Sequence, residues 1–154
     1  MTASKTTFLL CLALLLLPGS APQRRAHADE PDDAKKAIRK VLDDQVVAWN
    51  KGDLPGFMEG YWQSKDLRFY SGKDVTSGWQ ATLDRYRKRY QGEGKKMGQL
   101  SFGDVEVELL GAEHALVRGR WQVVLPDQTV SGLFTLICKK LAPGWRIVHD
   151  HTSS

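Results

Sequence analysis

The stretch that most constrains the fold runs from residue 99 to residue 152. It holds four segments in which apolar and polar residues largely alternate, separated by short turns. These segments are QLSFGDVEVELL, ALVRGRWQVVL, TVSGLFTLICKK and WRIVHDHT. Alternation at a period of two is typical of strands, and the short turns contain Gly, Pro and Asp. Short connections join only antiparallel neighbours, so the sequence predicts a four-strand antiparallel meander.

The part of the chain before the meander has helical periodicity. Apolar residues recur at helical spacing from Ala34 to Trp49, with Asp32 or Asp33 as the cap and Gly52 as the stop. Asp53 and Pro55 predict the start of a second helix, and we expect that helix to carry the apolar residues Leu54, Phe57, Met58, Tyr61 and Trp62.

A short strand at residues 67–72 and a third helix complete the predicted elements. Along the third helix, Trp79, Leu83, Tyr86 and Tyr90 fall on one face, and the basic run at residues 85–90 covers the other sides. Helices followed by a meander indicate the α+β class, with three N-terminal helices packed against one face of an antiparallel sheet.

The first 28 residues predict a secretory signal peptide. Lys5 precedes the apolar run FLLCLALLLL, and Ala26-His27-Ala28 resembles a cleavage site. The apolar run is shorter than the roughly 20 residues that a membrane-spanning helix needs. We therefore expect export to the periplasm or the extracellular space after cleavage behind Ala28, with an uncleaved anchor as the alternative. Residues 29–33 are then a linker, and residues 34–153 form one domain.

Removal of the leader changes the charge and the cysteine count. The leader carries Lys5, Arg24 and Arg25 and no acidic residue, so the formal net charge falls from +4 to about +1. A nearly neutral chain lacks the basic surface that nucleic-acid binding requires, so we expect no nucleic-acid partner. Of the two cysteines only Cys138 remains, which excludes an internal disulfide.

Loop lengths predict which face of the sheet each side chain occupies. A four-residue LAPG loop pairs Lys140 with Trp145, which would place Leu136 opposite His149 and Thr135 opposite Asp150. If the loop after the second strand holds two or four residues, the histidines share a face with Trp121, Phe134, Leu136, Cys138, Trp145 and Ile147. His149 and His151 then point toward the helices, whereas Arg120 and Asp150 lie on the other face as a cross-strand ion pair. A three-residue loop would exchange the faces.

Several motifs together resemble a known family. They are AWNKGD at residues 48–53, the RFYSG strand, the helix opening SGW, the GRW strand and the ending GWRIVHDHTSS. They resemble the SnoaL-like branch of the nuclear transport factor 2-like superfamily, and in particular small domains of unknown function related to the association domain of calcium/calmodulin-dependent kinase. The resemblance covers roughly residues 34–153.

The resemblance implies a cone-shaped, curved antiparallel sheet wrapped around the helices, with an internal cavity open at one end. It also implies a homodimer that packs through sheet faces. Members of this superfamily include isomerases, cyclases and dehydratases of ring compounds as well as domains that only bind ligands, so the fold does not select one function. The arginine that contributes to the kinase-domain pocket corresponds to a position near Arg120, in conflict with the face predicted from loop lengths.

The candidate pocket combines aromatic residues with the polar groups of the last strand. Its members are Trp62, Tyr70, Trp79, Tyr86, Arg120, Trp121, Phe134, His149, Asp150 and His151. Such a pocket suits a small apolar or anionic ligand, and binding alone is our first expectation. The alternative is an acid–base isomerase, cyclase or hydrolyase that acts on a small cyclic compound.

We expect neither a cofactor nor a metal ion. His149, His151 and Cys138 could share a face in the predicted register, but a fourth ligand is not evident. No phosphate-binding loop, dinucleotide motif or nucleophile elbow occurs in the sequence. The expected partners are a small-molecule ligand and a second copy of the chain, with no membrane contact after signal cleavage.

Overall fold

The computed structural model describes residues 31–93 and 95–154. The signal peptide and its cleavage site lie outside the described residues. Three helices and six strands follow in the order α1 (Pro31–Asn50), α2 (Leu54–Met58), β1 (Arg68–Ser71), β2 (Asp74–Ser77), α3 (Trp79–Tyr90), β3 (Gln99–Leu109), β4 (His114–Val124), β5 (Thr129–Leu141) and β6 (Gly144–Thr152). No helix within these residues is long and apolar enough to span a membrane.

The six strands form one mixed sheet in the order β2-β1-β6-β5-β4-β3. Strands β3 to β6 are antiparallel neighbours, which confirms the predicted meander and the α+β class. β1 runs parallel to β6 and brings Tyr70 opposite His151. The segment Asp74–Ser77, which we predicted as part of a turn, instead forms β2 and pairs with β1. The turn between them places Gly72 at a φ of 60°, a conformation that glycine adopts without steric cost.

The N-terminal helices differ from the prediction at their ends. α1 is already helical at Pro31, so three residues assigned to the linker belong to the helix. α2 begins as predicted, because the Asp53 side chain accepts a hydrogen bond from the Gly56 N–H at 2.9 Å. It ends at Met58, because the backbone of residues 60–62 forms hydrogen bonds with Ile147 of β6 instead of continuing the helix. The Ile147 N–H donates to the Gly60 carbonyl at 2.9 Å, and the Trp62 N–H donates to the Ile147 carbonyl at 2.9 Å.

The core lies between α1 and the concave face of the sheet. Ile38, Leu42, Gln45 and Trp49 recur at helical spacing along α1, and all are buried against the sheet. The Trp49 indole N–H donates to the Met97 carbonyl at 3.2 Å, which ties the end of the helix to the segment before β3. Burial of each large apolar side chain contributes roughly 1.5–3 kcal/mol, so this seam is the main link between helix and sheet.

A β-bulge in β6 decides the direction of the last side chains. Cys138 pairs with Ile147, but Ile137 pairs with His149, so Val148 is an additional residue on β6. Beyond this point Leu136 lies opposite Asp150 and Thr135 opposite His151, one residue away from the predicted pairing. The predicted pairing of Lys140 with Trp145 is confirmed, and it holds only up to the bulge. Asp150 therefore points to the concave face, and the two histidines point outward.

Candidate functional site

A cavity of about 90 Å³ lies between the helices and the concave face of the sheet. Aromatic side chains dominate its wall, together with aliphatic residues at its inner end and polar residues near the surface. The lining residues that the following paragraphs use are Trp49, Phe57, Tyr61, Phe69, Arg85, Tyr86, Arg89, Tyr90, Phe102, Trp121, Phe134, Asp150, Thr152 and Ser153. The volume equals roughly that of three water molecules, which is small compared with the ~300–1,000 Å³ of drug-sized pockets.

Asp150 is the one buried acidic residue in the described part of the chain. Its carboxylate accepts a hydrogen bond from the Tyr61 hydroxyl at 2.7 Å and another from the Thr152 hydroxyl at 2.6 Å. Burial raises the pKa of Asp150 from 3.8 to about 6, while Thr152, Tyr61 and the charge of His151 oppose the shift. The carboxyl group therefore exchanges its proton close to neutral pH.

Two tyrosine hydroxyls remain protonated beside this carboxyl group. Burial, followed by the charge of Asp150, raises the pKa of Tyr61 and of Tyr86 well above 10. A hydroxyl with such a pKa is neutral throughout the physiological range and acts as a hydrogen-bond donor. The inner polar group of the cavity is thus a carboxyl that titrates near pH 6 next to two neutral phenols.

The aromatic wall is a connected network of ring contacts. The Tyr86 ring lies edge-on to Phe57 at 5.3 Å and to Trp49 at 6.0 Å, and tilted against Phe69 at 5.5 Å. On the sheet side, the Phe102 and Phe134 rings meet edge to face at 5.3 Å. Rings in such arrangements hold one another in place, which gives the cavity rigid apolar sides.

The exposed lining residues mark the mouth of the cavity, between α3 and the end of β6. The Trp121 indole N–H donates to the Ser153 carbonyl at 3.1 Å, and the Ser153 N–H donates to the Leu133 carbonyl at 2.9 Å. The chain approaches Gly132 so closely here that a Cβ at that position would collide with the Ser153 carbonyl. A glycine at this position therefore allows the end of the chain to border the mouth.

The structure brings four of the ten predicted site residues to the cavity: Tyr86, Trp121, Phe134 and Asp150. Trp79 lies elsewhere, because its indole N–H donates to the Met58 carbonyl at 2.9 Å and joins α3 to α2. Arg120 is exposed and pairs with Asp104 at 3.0 Å rather than with Asp150, so the predicted Arg120–Asp150 pair is wrong. Trp62 is partly buried outside the cavity lining.

The predicted inward orientation of the histidines is also wrong. His149 and His151 lie on the outer face of the sheet, where their ring centroids are 5.0 and 5.9 Å from that of Tyr70. Burial, followed by the charge of His151, lowers the pKa of His149. The physical reason for the error is the bulge at Val148, which inverts the order of the side chains that follow it.

Sequence reasoning missed several residues of the site, among them Tyr61, Arg85, Arg89 and Thr152. We placed Tyr61 on a helix and treated the arginines as a solvated helix face. The prediction that Tyr86 lines the pocket already indicated which face of α3 points inward. Arg85, one residue before Tyr86, and Arg89, three residues after it, flank that same face of the helix. Thr152 follows Asp150 by two residues on a strand, a spacing that puts both on one face.

No metal centre is evident in residues 31–93 and 95–154, since no group of three His, Cys, Asp or Glu residues there could hold an ion. Cys138 lies opposite Ile147, and burial raises the pKa of its thiol to about 12. Such a thiol is protonated and is a poor nucleophile.

Comparison with known proteins gives structural relatives only. No protein-family model matches the chain, and no curated protein matches it. A nuclear transport factor 2-like protein of unknown function from Shewanella oneidensis MR-1 is 36% identical over 78% of this chain and 98% of its own length, with a TM-score of 0.73.

Two further solved structures share the fold at lower identity. A nuclear transport factor 2-like superfamily protein from Salmonella enterica serovar Typhimurium LT2 is 20% identical over 81% of this chain and 93% of its own, with a TM-score of 0.70. A domain of unknown function with a cystatin-like fold from Nostoc punctiforme PCC 73102 is 21% identical over 78% of this chain and 76% of its own, with a TM-score of 0.65.

Proposed function

The chain belongs to the nuclear transport factor 2-like superfamily, and we propose that its cavity binds a small, mostly apolar molecule with one polar group. The observation that carries this proposal is the buried Asp150 carboxyl, which faces an aromatic cavity beside the Tyr61 hydroxyl. A buried carboxyl lowers the stability of a fold unless it is compensated, so its presence in a cavity favours a binding role over a purely structural one.

The wall and the polar group define what fits. Phe57, Phe69, Tyr86 and Phe134 offer ring faces and edges to an apolar body. Asp150 offers an acceptor when ionised and a donor when protonated, so it suits a ligand hydroxyl, amide or carbonyl oxygen depending on pH. The cavity alone is smaller than the ~150 Å³ space that holds benzene. A ring-sized ligand therefore has to extend into the mouth.

A ligand screen with two matched variants tests the proposal. Native mass spectrometry of the gently purified chain first identifies any retained molecule, and a ligand-observed NMR screen of small alcohols, ketones and acids follows. Leu136→Phe fills the cavity from β5, whereas Ile137→Phe adds the same side chain to the outer face. We expect binding to the wild type and to Ile137→Phe and its loss in Leu136→Phe, with circular dichroism as the check on folding. Equal binding by all three proteins, or binding by none, would refute the proposal.

A second candidate is acid–base catalysis of an isomerisation or elimination. The observation that favours it is that Asp150 titrates at about 6, where a carboxylate can both take up and release a proton. In this scheme the Asp150 carboxylate removes a proton from carbon next to a carbonyl. A tyrosine hydroxyl would donate a hydrogen bond to the oxygen on which charge develops.

Proton exchange measures this chemistry without knowledge of the substrate. Incubation of small ketones in deuterated water, followed by NMR, should show exchange at the carbon next to the carbonyl, with a rate that rises through an apparent pKa near 6. Asp150→Asn should lower the rate by about 10²-fold or more, since general-base catalysis contributes about 10²–10⁴. An unchanged rate in Asp150→Asn would exclude Asp150 as the base.

We also propose that the chain is exported and dimerises through the outer face of its sheet. Export rests on the leader sequence. Dimerisation is supported by apolar side chains on the outer face, of which Leu133 is 50% exposed and Ile137 partly buried. Light scattering should give the mass of two chains, and Leu133→Arg should shift it toward one. A wild-type monomer at micromolar concentration would contradict the dimer.

A further inference from the structure

The mouth of the cavity has the opposite charge to its interior. Arg85 and Arg89 stand one helical turn apart on α3, and both line the cavity, whereas Asp150 lies buried in its wall. Side chains four residues apart on a helix lie on the same face, so the two guanidinium groups border the same opening.

Arg85 is held in place before any ligand arrives. Its guanidinium lies 5.4 Å from the Phe69 ring centroid and donates to the Thr76 hydroxyl at 3.2 Å. Its nearest carboxylate, Asp74, is 3.7 Å away and its side chain is 60% exposed, whereas the Arg85 side chain is only 25% exposed. A distant, hydrated partner neutralises the charge only in part. Arg85 therefore presents a fixed cation with donors to spare.

Arg89 has no such acidic partner. Its guanidinium lies 5.5 Å from the Tyr90 ring centroid, and no carboxylate of residues 31–93 or 95–154 lies within salt-bridge distance of it. By contrast, Arg87 on the same helix pairs with Asp84 at 3.3 Å and does not line the cavity. Within the described residues, Arg89 at the mouth is thus without an ion pair, and Arg85 beside it is neutralised only in part by Asp74.

We propose that the ligand is a small monocarboxylate whose carboxylate binds Arg85 and Arg89 while its apolar body enters the aromatic cavity. This inference rests on the binding function proposed above and specifies its ligand class. Guanidinium groups bind carboxylates through paired charge-assisted hydrogen bonds. If the ligand bound in the reverse orientation, its carboxylate would lie beside the Asp150 carboxylate, and repulsion between the two like charges disfavours this arrangement.

Cavity size limits the apolar body. About 90 Å³ accommodates roughly three water-sized groups, so a chain of about three or four carbon atoms fits inside while the carboxylate stays at the mouth. The carbon atoms farthest from the carboxylate then lie nearest to Tyr61 and Asp150. Any chemistry at Asp150 would act on these carbons rather than on the carboxylate.

Acid and amide pairs of identical shape test the proposal. The probes are butyrate with butyramide, propionate with propionamide, and inorganic phosphate, titrated by NMR at pH 7.5. We expect each acid to bind about 10-fold more tightly than its amide, since two partly exposed ion pairs contribute roughly this factor. Arg89→Gln should weaken acid binding about 5-fold and leave amide binding unchanged. Arg85→Gln should have the larger effect, and Arg87→Gln is the matched control with none.

The outcomes separate this inference from the binding function itself. Equal binding of acid and amide, both lost in Leu136→Phe, would overturn the carboxylate inference and leave the binding function intact. Equal losses of acid affinity in Arg87→Gln and Arg89→Gln would overturn the carboxylate inference as well, because the net positive charge of the surface, and not the position of Arg89, would then determine binding. Phosphate binding as tight as butyrate would indicate an anion site without the apolar requirement. If no probe binds and the broader NMR screen also finds no ligand, the proposed binding function is refuted too.

Discussion

Asp150 and its neighbours His149 and His151 are adjacent in sequence and occupy opposite environments. Asp150 is 4% exposed on the concave face, hydrogen-bonded to Tyr61. His149 is only partly buried and His151 exposed on the outer face, where both contact Tyr70. Side chains alternate along a strand, which separates the aspartate from the histidines, and the additional residue in β6 decides that Asp150 is the one that faces inward. Chemistry-bearing residues in one short motif can therefore belong to two unrelated surfaces.

The largest contrast between the faces concerns packing on β5. Phe134 points into the cavity wall and Leu133 points outward, so Phe134→Ala and Leu133→Ala remove apolar volume from opposite faces. We expect Phe134→Ala to lower the free energy of unfolding by about 3–5 kcal/mol and Leu133→Ala to lower that of the single chain by less than about 0.5 kcal/mol, with a larger loss only where the proposed dimer forms. Urea denaturation of both variants measures this difference. Similar losses would mean that the outer face is also a packed surface.

The next contrast is the pH dependence due to Asp150. Its pKa is about 6 in the folded protein against 3.8 as a free side chain, so the folded state binds the proton more tightly. The free energy of unfolding should therefore be greatest below pH 4 and fall as the pH rises to 6, by about 3 kcal/mol from this group. Asp150→Asn should abolish this decline and stabilise the protein at pH 7 by about 1–3 kcal/mol. Chemical denaturation at pH 4, 5, 6 and 7 tests the slope, and an identical decline in the variant would contradict it.

A smaller effect should separate the two tyrosines that flank β6. Tyr61→Phe removes the 2.7 Å hydrogen bond to buried Asp150, and above pH 6 we expect a loss of about 1–3 kcal/mol in unfolding free energy. Tyr70→Phe removes a hydroxyl from the outer face and serves as the control, with a change of less than about 0.5 kcal/mol. Thermal or urea unfolding at pH 7.5 compares the pair. Equal effects would show that the Asp150 contact is no more important than an ordinary surface hydroxyl.

The smallest expected effect is at His149, and its sign is opposite to that of Asp150. Because burial and His151 lower the pKa of His149, the unfolded state binds its proton more tightly. This contribution to stability is present above pH 6.5 and is lost as the pH falls through the lowered folded pKa. His149→Gln should remove that component, and NMR titration of the imidazole in the wild type should give a pKa below 6.5. A pKa at or above 6.5 would contradict the assignment.

Much of the fold was predictable because its helices and strands are determined by patterns of residues that are close in sequence. The alternation from Gln99 onward, the Asp53 cap and the spacing from Trp79 to Tyr90 each depend on residues close in sequence. The end of α2 was not predictable in this way, since residues 60–62 leave the helix to bond to Ile147 some 85 positions later.

The candidate site was less accessible to sequence reasoning. Tyr86, Trp121 and Phe134 were placed correctly because their strands and helix kept regular periodicity up to those positions. The histidines and Asp150 were assigned to the wrong faces, because their faces were inferred across an irregularity in β6 without a sequence signature. Arg120 lies on the outer face as the loop lengths predicted, but it pairs with Asp104 rather than with Asp150. Tyr61, Arg85 and Arg89 converge with Asp150 only through tertiary packing of α3 and the segment after α2 against the sheet.

By itself, then, the sequence determined the three helices, the four strands of the meander and the family, because periodicity and turn residues act over a few positions. The tertiary structure decided which side of β6 faces the cavity, and it alone brought Tyr61 and Asp150, 89 residues apart, within 2.7 Å. The physical reason is that strand pairing fixes side-chain direction by register. Register in β6 depends on the bulge opposite β5 and on backbone bonds to residues 60–62, not on the local order of its residues.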